Sequence, residues 1–77
     1  MLYKIYKYED EGQRITTQCS VHQLDGSNPL IAELLDMGFN MDVVSLATVE
    51  TSIYVEDKPH LNWLEKTLKS KGYKDIT

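Results

Sequence analysis

Cys19 and His22 stand in a Cys-x-x-His spacing, and with His60 they carry the most specific chemistry this 77-residue chain offers. They would suit half of a zinc site, or a thiolate activated by an imidazole. Their surroundings speak against both uses. From Arg14 to His22 the sequence alternates. Ile15, Thr17, Cys19 and Val21 share one parity, and Arg14, Thr16, Gln18, Ser20 and His22 share the other, the pattern of a half-buried strand. Residues three apart on a strand point to opposite faces, so the thiol is expected in a core and His22 outside it. His60 falls in the first turn of an expected helix, where a solvated side chain is the simpler reading. The chain has no nucleophile elbow, glycine-rich phosphate loop, His-Glu-x-x-His or EF-hand pattern. No enzymatic activity, metal or cofactor is expected.

Two acidic runs, Glu9-Asp10-Glu11 and Glu56-Asp57, could hold a divalent cation or pair as acid and base. Each falls at an expected turn or helix start, where carboxylates are solvated or favour the helix N-terminus. Their collective charge is the stronger signal. The net charge is −4, with ten carboxylates against three cations in residues 1–57 (−7) and five cations against two carboxylates in residues 58–77 (+3). An acidic body can engage a basic groove on a larger protein, such as proteins that handle nucleic acid possess. The contact residues expected for it are Glu9, Asp10, Glu11, Glu33, Asp36 and Asp42, with Trp63 and Tyr73 as anchors. The alternative uses the terminal helix, with Lys58, Lys66, Lys69 and Lys74 on phosphates and the two rings on bases. The acidic remainder repels a polyanion, so nucleic acid is the less favoured partner.

The elements that must position these residues are legible mainly from their ends. Leu2–Tyr8, rich in Tyr and Ile, and the alternating segment form a β-hairpin across Glu9–Gln13, with the buried face of the first strand left open. Asn28-Pro29 opens a helix that runs to about Met37, with Leu30, Ile31, Leu34 and Leu35 as its core stripe. Gly38-Phe39 closes it, and Gly72-Tyr73 closes a second helix that opens near Asp57-Lys58-Pro59 and buries Leu61, Leu64 and Leu68. In each exit a left-handed glycine turns the chain and the next large side chain packs back on the helix. Between them, residues 43–56 are rich in β-branched residues, and no glycine or proline marks a turn, which favours one bent strand over two. Residues 43–49 remain open between strand and helix. The order β-β-α-β(β)-α gives a single α+β domain over residues 1–77. Its expected form is a small two-layer sandwich, an antiparallel sheet of three to four strands with two helices on one face. An edge strand such as the first could pair with its copy in a homodimer.

Leu34-Leu35-Asp36-Met37-Gly38-Phe39 followed by Val43-Val44-Ser45-Leu46-Ala47 resembles the first helix, Met-Gly-Phe loop and second helix of ubiquitin-associated domains. That resemblance implies a helix after Phe39 and ubiquitin binding. It covers under a third of the chain, and the family has neither a preceding hairpin nor a strand at Ile53-Tyr54-Val55. In size and charge the chain resembles the small acidic inhibitors of phages and mobile elements, anti-CRISPR proteins included. That implies a free-standing regulator that binds a larger protein. Met1–Tyr8 lacks the apolar core of a signal peptide, no run of about 18 apolar residues offers a membrane span, and one cysteine makes no internal disulfide. A cytoplasmic protein with no membrane partner is expected.

Overall fold

Side-chain alternation builds the sheet. The computed structural model describes residues 1–12, 14–24, 27–45 and 50–77. Its elements are β1 (Leu2–Glu11), β2 (Arg14–His22), α1 (Pro29–Asp36), β3 (Asn40–Ser45), β4 (Glu50–Asp57), α2 (Lys58–Ser70) and β5 (Lys74–Asp75). Among the described residues the strands form one sheet in the order β3-β4-β2-β1-β5. Cross-strand partners share a face, so the register gives the two sides row by row. Tyr3, Val21 and Thr51 make one inner row, and Ile5, Cys19, Ile53 and Met41 the next. These inner side chains and the buried leucines of both helices, Leu30 and Leu34 of α1 and Leu61, Leu64 and Leu68 of α2, form one apolar cluster. Each such leucine contributes about 1.5–3 kcal/mol by leaving water.

Both helices begin and end on local chemistry. Asn28 Oδ1 accepts the Leu30 N–H at 2.9 Å, and Asp57 Oδ1 accepts the His60 N–H at 2.8 Å; Pro29 and Pro59 lie in the first turns, where a missing N–H costs nothing. At the exits Gly38 and Gly72 adopt φ of 86° and 90°. Phe39 N–H then donates to Leu34 O at 3.1 Å and Tyr73 N–H to Leu68 O at 3.0 Å, while each glycine N–H reaches the carbonyl three residues back. These are matching Schellman caps, and they bury Phe39 and Tyr73 against the core.

Several expectations need correction. The sheet is mixed rather than antiparallel, because β5 runs parallel to β1, with Leu2 beside Lys74 and Tyr3 beside Asp75. It has five strands among the described residues instead of three or four. Residues 40–57 are two antiparallel strands, not one bent strand; the link at 46–49 lies outside the described residues. The helix that the ubiquitin-associated resemblance implies after Phe39 does not form, since 40–45 is strand. Tyr3 and Ile5 face inward on β1 and Tyr6 outward, while the Tyr8 side chain and Gln13 lie outside what is described. Leu35, placed in the core stripe of α1, is 58% exposed, because an eight-residue helix buries only the positions four apart that face the cluster. Nor is β1 an edge along its whole length: Lys74 N–H donates to Met1 O at 3.0 Å and Ile76 N–H to Tyr3 O at 2.9 Å, covering its first residues.

Candidate functional site

The side of the sheet away from the core is polar and open. Tyr6 of β1, Gln18 of β2, Tyr54 of β4 and Asn40 of β3 are successive cross-strand partners and make one row. Lys4, Ser20, Ser52 and Asp42 make the next. Tyr6 and Tyr54 are 40% and 39% exposed and stand two strands apart, about 10 Å at the ordinary strand spacing. Between them the surface is fixed by hydrogen bonds. Gln18 Nε2 donates to Ser52 Oγ at 3.0 Å, Ser20 Oγ donates to Glu50 Oε1, and Tyr54 Oη reaches Asp42 Oδ2 at 3.4 Å. Ser20 and Ser52 are thereby 1% exposed under their longer neighbours. The Lys4 ammonium lies 5.0 Å from the Tyr6 ring centroid, a cation–π contact on the same face.

At one end of the sheet two register slips, between Tyr6 and Glu9 of β1 and between Arg14 and Thr17 of β2, bend the hairpin. Thr17 Oγ1 donates to the Tyr6 carbonyl at 2.9 Å beside the slip. Here a cleft of about 370 Å³ is lined by Glu9, Glu11, Arg14, Ile15, Thr16 and Glu56, three carboxylates around one guanidinium. Glu56 also borders a second, smaller cleft of about 140 Å³ between the α1 cap and the start of α2.

The acidic residues singled out from the sequence divide among three places. Glu9 and Glu11 meet at the hairpin end, where Asp10 pairs with Lys58. Glu33 and Asp36 are exposed on α1, with Glu33 Oε2 3.4 Å from Lys71 Nζ. Asp42 lies on the open sheet face. They form no single patch. Of the two anchors, Tyr73 is corrected: it is 4% exposed, closing α2 from inside. Trp63 is half-buried and stacked on Phe39 with centroids 5.8 Å apart, so one of its faces is taken. Lys58 is drawn to the hairpin by Asp10, while Lys66, Lys69 and Lys74 remain exposed. Reasoning from sequence missed Tyr6, Gln18, Tyr54 and Glu56 as one neighbourhood. The signal for Tyr54 was there, since it alternates with the apolar Ile53 and Val55.

Cys19 and His22 do lie on opposite faces, the thiol fully buried and the imidazole on the open side. Burial, reinforced by the charges of Glu65 and Asp75, pushes the Cys19 thiol up to about 12, where it is no nucleophile. Among the described residues no three His, Cys, Asp or Glu side chains converge as metal ligands. None of the described helices is long and apolar enough to cross a membrane.

Fold and surface together define a small α+β domain with a mixed sheet, one side packed and the other open. Compared with known proteins, the chain matches no family model, no curated protein and no solved structure.

Proposed function

We propose that this chain is a non-enzymatic interaction module that binds a larger protein and thereby regulates or inhibits it. The observation that carries the reading is the open sheet face. Two exposed tyrosines stand on a surface fixed by hydrogen bonds, with the carboxylates of Asp42 and Glu56 on the same side and those of Glu9 and Glu11 at its end. Tyrosine supplies rigid contact area with a polar tip and is enriched where proteins meet. The carboxylates speed encounter with a basic groove and reject acidic partners. In such a groove the domain would displace whatever polyanion the larger protein handles.

The test is capture of partners by the tagged full chain from lysate of the source cells, with and without nuclease. Three forms are compared: the natural chain, Tyr6→Ala/Tyr54→Ala and Lys66→Glu/Lys69→Glu. A stoichiometric protein held by the natural chain and the lysine variant, and lost by the tyrosine variant, supports the reading. Loss on nuclease treatment, or in the lysine variant alone, overturns it in favour of a nucleic-acid contact through α2.

A further inference from the structure

The smaller cleft combines an apolar floor with charged walls. Phe39 forms the floor, held edge-on to the His60 ring at 5.3 Å and stacked on Trp63, and Met37 and Tyr54 stand exposed at the rims. Glu56 and Asp57, where β4 passes into α2, supply two carboxylates. At about 140 Å³ the cleft is well below the roughly 300–1,000 Å³ of sites for drug-sized ligands, and it suits one long side chain.

We infer that this cleft receives an arginine side chain of the partner protein, its stem along Met37 and Phe39 and its guanidinium against Glu56 and Asp57. The inference rests on the protein-binding reading above. Arginine fits better than lysine because its planar head both stacks on an exposed ring such as Tyr54 and donates in a fork to carboxylates. One of the receiving groups, Asp57, is held in place. Asp57 Oδ1 accepts the His60 N–H, and Asp57 Oδ2 lies 2.8 Å from His60 Nδ1. A carboxylate only accepts, so Nδ1 carries the hydrogen. The Asp57 carboxylate takes one of the first free amides of α2, that of His60, and its charge screens the positive end of the helix where the cation would sit. Those bonds from His60, the main-chain one first, hold the Asp57 carboxyl below its ordinary value and keep it charged at neutral pH.

The probe is N-acetyl-arginine amide, titrated into the ¹⁵N-labelled full chain and followed by amide shifts, with the neutral isostere N-acetyl-citrulline amide as control. Saturable shifts centred on residues 38–40 and 54–60 are expected, in the millimolar range that one side chain can supply. Affinity should fall about fivefold or more with citrulline and in Glu56→Gln, the scale of one lost charged contact, and stay unchanged in Glu9→Gln/Glu11→Gln. Equal response to citrulline, shifts centred on residues 9–14, or no saturable shift overturns the inference. None of these outcomes touches the capture experiment. If capture still depends on Tyr6 and Tyr54 while the arginine probe fails, the cleft assignment is wrong and the protein-binding reading stands.

Discussion

Asp57 grips His60 at two points, its Oδ1 taking the main-chain N–H and its Oδ2 facing ring Nδ1, each at 2.8 Å. One side chain thus starts α2, orients an imidazole and walls a cleft. Its carboxyl is held below the ordinary value near 3.8 chiefly by the main-chain hydrogen bond. A carboxyl depressed in the folded state adds stability that is complete above the ordinary value and is lost as pH falls through the depressed one. The natural chain should therefore lose thermal stability on acidification below about pH 4 more steeply than Asp57→Asn. At pH 7 the variant should melt at the lower temperature. Parallel melting curves for the two proteins across pH 2–7 would contradict the assignment.

Gly72 isolates the cost of a left-handed cap. A Cβ placed there meets nothing within 4 Å, so Gly72→Ala pays only for its φ of 90°. The expected loss is about 1 kcal/mol, or roughly 4–8 °C in melting temperature for a domain of this size. Gly72→Asn should lose less, because asparagine tolerates the left-handed region better than alanine. Thermal denaturation of the three proteins ranks them.

Cys19 should behave as a core residue. In the native protein its thiol should resist alkylation at pH 8 and react only at the rate of unfolding, as burial and its raised pKa require. Cys19→Ser places a hydroxyl between Ile5 and Ile53, its cross-strand partners, and should cost about 1–3 kcal/mol in urea titration. Cys19→Ala, which strands no polar group, measures the packing part separately. Rapid native-state labelling would refute the burial.

The tail from Lys74 to Thr77 guards a sheet edge. Its main-chain bonds run to Met1 and Tyr3, and the Ile5 N–H donates to Thr77 Oγ1 at 2.9 Å. A chain truncated after Tyr73 exposes those groups on β1 and should self-associate with rising concentration in sedimentation experiments, as bare edges do. A strictly monomeric truncation would show that the β1 edge is protected by other means, such as its register slip.

What was legible in the sequence followed how local the determining physics is. Asn28, Asp57, Gly38 and Gly72 act within one helical turn, and both helices start and stop where those residues place them. The same cap logic implied that the residue after each glycine turns inward, so reading Tyr73 as a surface anchor contradicted its own premise. The alternation of β2 was equally local. β5 has two residues and pairs only with a strand some 70 positions earlier, which leaves no periodicity to detect. The division of residues 40–57 into two strands is set by pairing to β2 through β4, a tertiary choice that composition does not encode. The acidic residues were legible as charge and illegible as a surface, because whether Glu33 and Asp42 share a side depends on where α1 lies relative to the sheet.

The parallel pairing of β1 with β5 ties the beginning of the sheet to the last residues of this sequence. Of these strands β1 is synthesised before the others, and β2 soon follows to satisfy one of its edges. The other edge near Leu2 and Tyr3 gains its partner only when residues 74–76 have been made. Every growing chain therefore passes through a stage in which the hairpin is complete and one of its edges is bare. Order of appearance makes that interval the time when a chaperone, or a neighbouring copy on the same messenger, has its best opportunity to bind.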